Sequence, residues 1–317
     1  MTGSARTLET RRGPIPLPAY VPVTTFGGKY PLDDLVRPYL PRLADAMMVS
    51  FHYARQMKEE PRLPVFVDSG GFASLFSDAR IVTDGDLGVL EVPGANATEC
   101  VHPRDVLELQ ERIADVAFTL DFPIPPGMDA KEARRRQELT IANAHWGLAN
   151  RRRNDLLLFA CVQAWDADSA RECARSYSQA AFSGIAIGGL VPRARDRQLV
   201  REIVEAVKAE IGDRPLHVLG LGKPEIVEEL FKAGADSVDS SSYVQLAADG
   251  RLWSRPDFQI DDPSVTERLH LALCNLATAT GRAMPLSASL RFTTRELKAR
   301  GVREPSEDAL STSDARA

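Results

Sequence analysis

The stretch GIAIGGLVPRARDRQLVREIVEAVKAEIGDRPLHVLGLG, residues 184–222, decides the fold. It opens on a short apolar run, passes through an amphipathic, charge-rich segment at Arg195–Ile211, and closes on a second apolar run. The runs are continuous rather than alternating, as in strands buried on both faces of a parallel sheet. The same unit recurs in both directions along the chain. Upstream lie AYVPV (19–23), AMMVSFH (46–52), VFVDSGG (65–71), VAFTLD (116–121) and LLLFACVQ (156–163); downstream lies SVDSSS (237–242). A helix over Ala167–Ala181 is expected before GIAIGG. Another over Pro224–Ala233 is expected before SVDSSS, with Gly234 as its natural C-cap. Strands and helices alternating in this way predict an α/β protein, a (β/α)8 TIM barrel in a single domain. A doubly wound open sheet is the competitor, and against it no GxGxxG follows the first strand.

Composition narrows the class. The chain has 317 residues, 44% hydrophobic and 26% charged, the balance of a soluble globular protein large enough to bury a core without staples. Its four cysteines, Cys100, Cys161, Cys173 and Cys274, are scattered with no CxxC pair. Neither a disulfide scaffold, a structural zinc site nor a redox pair is legible, and buried small hydrophobes are expected instead. The five histidines, His52, His102, His145, His217 and His270, show no metal-ligand spacing. They read as hydrogen-bonded imidazoles, although His52 ends the second strand and could touch a site there. No nicotinamide, flavin or nucleotide-triphosphate motif is present, so no cofactor is expected. The longest uncharged stretch, Ser176–Pro192, carries Ser, Gln, Gly and Pro and is no membrane span. MTGSARTLETRRG lacks the apolar core of a secretory signal, so a cytoplasmic location is expected. Residues 1–9 and 301–317 read as disordered ends flanking one domain over 10–290, a barrel with a C-terminal helical segment. The net charge of −5 speaks against wrapping nucleic acid over the whole surface and leaves room for a local basic patch.

The polar residues fall at strand ends. Asp68 closes VFVD, Asp121 closes VAFTLD, Gln163 closes LLLFACVQ, and Asp239 sits in SVDSSS. In a parallel barrel the C-terminal ends of all strands share one face, where active sites are built. One acid after a strand is commonly a helix cap; three carboxylates and an amide on one mouth make a site. Gly70–Gly71, Gly188–Gly189 and the pair Gly220 and Gly222 also fall at strand ends. Each alone would serve a tight turn, and together they let backbone approach a flat ligand. Basic clusters lie at Lys131–Arg136 and Arg151–Arg153, which read as solvated helix faces. A third, Arg193, Arg195 and Arg197, follows the Gly188–Gly189 turn on the catalytic face, where phosphates would lie.

These residues carry a resemblance to the tRNA-guanine transglycosylase superfamily, barrel enzymes that exchange guanine for a 7-deazaguanine base. TRRGPIPLPAYVPV (10–23), VDSGGF (67–72), VHPRDVLELQERI (101–113), FACVQ (159–163), GIAIGGL (184–190), LGLGKPE (219–225) and GADSVDSSSY (234–243) are similar to its motifs, in the same order. The resemblance implies Asp239 as the nucleophile at the sugar C1′ and Asp68 as general acid/base. It implies Asp121, Gln163, Gly188, Gly189, Leu190 and Gly220 around the base, with Phe72 and Leu219 sandwiching it. Ser240, Ser241, Ser242 and Tyr243, with Arg193, Arg195 and Arg197, are then expected along the nucleic-acid backbone. Such chemistry suits the residues. A carboxylate reads the N1–H and 2-amino donors while an amide and a backbone N–H read O6, and double displacement needs a nucleophile plus a proton shuttle.

The departures bear on the substrate. The superfamily's CxCxxC zinc cluster should follow Trp253, yet that region holds only His270 and Cys274; Ala73 stands where the family has Gln. Ser240–Gln245 replaces the CVMPTR of the tRNA enzymes. In these respects the chain resembles the zinc-less, deazapurine DNA-modification (DpdA-type) branch. That resemblance implies DNA as partner, with a target nucleotide flipped out or single-stranded. The alternatives are a tRNA enzyme working with a partner or as a homodimer, a non-catalytic nucleobase-binding accessory subunit, and an enzyme of free nucleosides. Helper proteins fit either polymer, and no membrane partner is expected.

Overall fold

The computed structural model describes residues 6–26, 28–57, 60–94 and 97–282. The expected disordered tail at 301–317, residues 1–5 and the stretch 283–290 lie outside the described residues.

All eight apolar runs form strands: β1 (Ala19–Thr24), β2 (Met47–Val49), β3 (Val65–Val67), β4 (Val116–Phe118), β5 (Leu157–Val162), β6 (Gly184–Ile187), β7 (Leu216–Val218) and β8 (Ser237–Ser240). Every neighbouring pair is parallel, and β8 pairs back with β1 to close the barrel. The (β/α)8 expectation is borne out. Closure explains the continuous apolar runs, because both faces of each strand are covered. On β6, Ile185 and Ile187 face the helices while Ala186 faces the barrel interior. The interior is filled by Val21, Met48, Phe66, Phe118, Phe159 and Cys161. Fully burying a phenylalanine contributes roughly 1.5–3 kcal/mol, so these rings are a major part of what holds the barrel shut. Phe118 meets Phe159 edge-on at 5.8 Å. Gly184 supplies the space, since a Cβ there would stand 2.4 Å from the Phe159 ring.

The outer layer includes α1 (Pro103–Ile113), α2 (Ala130–Asn150), α3 (Ala167–Arg175), α4 (Arg197–Ile211), α5 (Pro224–Lys232) and α6 (Val265–Thr280). Two differ by two residues or more from their expected bounds, for local reasons. The third stops at Arg175 rather than residue 181 because the Ser176 hydroxyl donates to the Cys173 carbonyl at 2.6 Å. Tyr177 then turns inward to donate to the Cys161 carbonyl at 2.8 Å. The fourth starts at Arg197 because the Asp196 carboxylate caps it, accepting from the Leu199 amide at 3.1 Å.

Two features were not anticipated. Thr7–Thr10 pairs with Gly13–Pro16 as an antiparallel hairpin whose Leu8 and Ile15 join the barrel-interior cluster, closing the N-terminal end beneath the strands. Ordered chain therefore begins before residue 10, because the hairpin has apolar side chains to bury. Between β3 and α1, Arg80–Asp84, Leu87–Pro93 and Thr98–Val101 make a three-stranded antiparallel sheet. Asn143 of α2 pins it, accepting from the Gly88 amide at 2.9 Å and donating to the Gly88 carbonyl at 3.1 Å. No helix among the described residues is long and apolar enough to cross a membrane.

Candidate active site

The strand ends bring Asp68, Asp121, Gln163 and Asp239 to one mouth. Asp68 directly follows β3, and its Oδ1 accepts from the backbone N–H groups of Phe51 and Gly70, both at 2.9 Å. Burial pushes its carboxyl up to about 7, the two backbone donors oppose that, and the negative charges of Asp239 and Asp121 add to it. A carboxyl poised near neutrality can both give and take a proton. Beneath it, buried Gln110 of α1 donates to the carbonyls of Phe118 at 2.8 Å, Val67 at 3.1 Å and Asp68 at 3.3 Å. It ties the ends of β3 and β4 together.

Asp121 and Gln163 form the second pair. Gln163 Nε2 donates to Asp121 Oδ2 at 2.5 Å, and the Ser69 hydroxyl donates to Oδ1 at 2.6 Å. Burial raises the Asp121 pKa, and both hydrogen bonds counter it by favouring the charged form. Gln137 of α2 fixes the glutamine backbone, donating to the Gln163 carbonyl at 2.7 Å. The buried Gln163 Oε1 has no hydrogen-bond partner among the described residues. Glycines make the surrounding wall. A Cβ on Gly188 would stand 2.3 Å from Gln163 Nε2 and 2.7 Å from Asp121 Oδ2. Gly189 sits at φ +70°, and its Cβ would meet Gln163 Oε1 at 2.4 Å. The wall is thus bare backbone against a carboxylate and an amide, which fits a flat polar ring edge.

Asp239 on β8 accepts at Oδ1 from the Gly220 backbone N–H at 2.9 Å and stands 3.0 Å from His217 Nε2. It lines a cavity of about 340 Å³ with Gly220, Lys223, Ser241 and Arg197. Phe72 is 52% exposed at the rim and meets Phe76 edge-on at 6.3 Å, an open stacking face. Leu219 is half-buried where β7 ends.

Several residues sit differently from expectation. Arg193 is buried, and its guanidinium donates to the carbonyls of Ile124 and, at 3.2 Å, Gly189. It is an internal strut of the Gly188–Gly189 loop and not a phosphate contact. Arg197 is exposed but ion-paired with Glu229 at 2.7 Å, which leaves Arg195 as the exposed arginine of that cluster with no such pairing among the described residues. Tyr243 is fully buried and donates to the Val23 carbonyl at 3.1 Å, so it is a core residue. Ser240 and Ser242 are buried and bond each other at 2.7 Å, leaving Ser241 as the half-exposed serine of that turn. Leu190 has its side chain fully buried in the outer core and can offer a ligand only backbone. His52 packs against Gly70, its pKa lowered mainly by burial. His217, Gln110, Gln137 and Ser69 were missed. Their signal was a polar residue on an otherwise apolar face, as in VLELQERI.

The zinc that the superfamily implies has no matching donor set. Cys161 lies in the barrel interior, Cys173 lies against Tyr177, and Cys100 is exposed. Among the described residues no three His, Cys, Asp or Glu side chains group as a metal site.

Residues 39–280 match the family model described as queuine tRNA-ribosyltransferase. The chain is 30% identical over 183 residues to the tRNA-guanine(15) transglycosylase of Methanothermobacter thermautotrophicus, covering 56% of this chain and 27% of that protein. It is also 30% identical over 218 residues to the protein of that name from Methanocaldococcus jannaschii, covering 66% and 32% respectively. Against the queuine tRNA-ribosyltransferase of Thermotoga petrophila the identity is 30% over 193 residues, covering 59% of this chain and 51% of the relative. The match thus spans about half of the bacterial relative and about a third or less of the archaeal ones.

Proposed function

The chain belongs to the queuine tRNA-ribosyltransferase family, and from that premise we propose that it is a pentosyltransferase exchanging guanine in a polynucleotide for a 7-deazaguanine base. The observation that carries this reading is the pairing at one barrel mouth of two carboxylates, Asp68 and Asp239, with the edge-reading pair Asp121 and Gln163. Asp239 Oδ2, the oxygen not held by Gly220 and His217, attacks C1′ as the C1′–N9 bond breaks, and Asp68 gives its proton to the departing guanine. The incoming base then loses its N9 proton to Asp68 and attacks C1′, which releases Asp239. Asp121 accepts from N1–H and the 2-amino group, and Gln163 with the Gly189 amide donates to O6. Phe72 and Leu219 flank the ring. Lys223 and Ser241, which line the Asp239 cavity, would meet neighbouring phosphates, with the exposed Arg195 reaching them from the Gly188–Gly189 side.

DNA is the proposed polymer, on the missing CxCxxC cluster and the Ser240–Gln245 segment. The tRNA reading is supported by the relatives, which are tRNA-guanine(15) transglycosylases and queuine tRNA-ribosyltransferases. Incubation with labelled guanine, or labelled cyano-deazaguanine, against DNA, tRNA and free nucleoside separates them. Label entering DNA alone is the expected result, label entering tRNA alone moves the protein to the second reading, and label entering none refutes base exchange.

Gly188→Ala tests the base wall. Its Cβ would displace Gln163 Nε2 or Asp121 Oδ2. The expected result is a KM for the incoming base raised by at least about tenfold, because a polar site loses discrimination when its paired groups are displaced. Calorimetric titration with the free base checks it, and unchanged affinity would remove Gly188 from the wall.

A further inference from the structure

We infer that His217, held in turn by Ser237, is the positioning residue of the nucleophile Asp239; the inference rests on the base-exchange reading above. On β7 the neighbours Leu216 and Val218 face the helices, while His217 faces the barrel interior and is fully buried. Its ring lies between Phe118 at 5.0 Å and Phe66 at 5.6 Å, so it has little room to turn. In the β7–β8 register His217 stands opposite Ser237, and Asp239 is two residues further on the same face of β8. Both ring nitrogens are engaged: Nδ1 is 2.7 Å from Ser237 Oγ, and Nε2 is 3.0 Å from Asp239 Oδ1.

The chemistry assigns the protons. An ionised carboxylate only accepts, so the proton of this contact sits on Nε2. In the neutral imidazole Nδ1 is then an acceptor, and the Ser237 hydroxyl donates to it. Serine thus selects the tautomer that histidine needs to hold the carboxylate. This is not a hydrolytic serine triad: Ser237 is 3% exposed beneath Asp239 and no substrate reaches it. With the Gly220 N–H also on Oδ1, two donors hold one oxygen and leave Oδ2 as the attacking atom. The same donors remain on the carbonyl oxygen of the glycosyl ester. They strengthen as negative charge returns to Asp239 when the incoming base displaces it, so they favour release of the adduct.

The test compares His217→Phe, which keeps a ring but no donor, with His217→Gln, whose Nε2 reproduces the donor. His217→Phe is expected to lose about 10²-fold in kcat, the scale of losing a reacting group's alignment. KM for the free base should stay put, since Asp121 and Gln163 read it, and the covalent adduct should decay more slowly. His217→Gln should return to within about tenfold of wild type, and Ser237→Ala should lose less than about tenfold, the scale of one neutral hydrogen bond. Wild-type kcat in His217→Phe, no rescue by His217→Gln, or a base affinity falling in step with kcat would each overturn the inference. Imidazole nitrogen shifts of wild-type protein give a readout independent of turnover and of how the variants fold. The Nε2–H tautomer is expected, with its proton signal moved by Asp239→Ala, and an Nδ1–H tautomer overturns the inference. Absence of exchange by wild-type protein on every substrate would instead refute the base-exchange reading, leaving the shifts to judge the geometry.

Discussion

Asp239→Asn is expected to abolish both the covalent protein–nucleic acid adduct and base exchange, with the rate falling on the order of 10⁴-fold or more. Asparagine keeps the shape of the side chain, and its carbonyl oxygen can still accept from the Gly220 N–H and His217. Folding should therefore survive. On the proposed mechanism, what disappears is the carboxylate oxygen that attacks C1′, and a neutral amide is a far poorer nucleophile. Denaturing gel electrophoresis of the enzyme with labelled DNA oligonucleotide, and in parallel with labelled tRNA, checks this. A shifted band with wild type that is absent for the variant is the expected result. Equal exchange by variant and wild type would remove Asp239 from the mechanism.

Asp68→Asn should act on rate, pH profile and stability together. A general acid/base contributes about 10²–10⁴-fold, so the adduct should still form slowly while turnover stalls. On the proposed mechanism the first half-reaction needs the protonated carboxyl. With that group at about 7, single-turnover release of guanine should be level below neutrality and fall as pH rises above it. The variant should lose this limb. The stability effect has a definite sign. A carboxyl raised on folding binds its proton more tightly in the folded chain, so the stability it contributes is complete below the ordinary carboxylate range. That contribution is lost as pH climbs through about 7. Asparagine cannot ionise, so the variant should melt several degrees above wild type at pH 8, with the gap closing near pH 4. A more stable wild type at pH 8 would show that burial of Asp68 is not what raises it.

The barrel was legible because closure buries both strand faces, which writes continuous apolar runs into the chain. The carboxylates were legible because parallel strands share one catalytic end. Side-chain direction was not. Strand-end position puts Arg193 near the mouth, but only packing reveals that its guanidinium is consumed by the Ile124 and Gly189 carbonyls. Tyr243 follows Asp239 closely, yet an aromatic in the two-turn helix Ser242–Ala248 can face core or cleft, and here it faces core. His217 reads as an ordinary core imidazole because its partner Asp239 lies 22 residues away and is supplied by register. The three-stranded insert had a signal in the tight turn at Gly85, with φ +59°, between two runs of moderate hydrophobicity. Its half-exposed strands lack the continuous runs that mark the barrel.

The packed barrel interior, filled by Phe66, Phe118 and Phe159 and floored by Leu8 and Ile15 of the Thr7–Pro16 hairpin, has a kinetic consequence. A plugged vessel has a single doorway. In a base exchange, the guanine must leave through the same opening by which its replacement arrives, while the polymer stays tethered across the threshold. The two bases cannot queue from opposite sides, so they take turns. That order is ping-pong kinetics, with free guanine competing directly against the incoming base and the tethered enzyme waiting between the two visits.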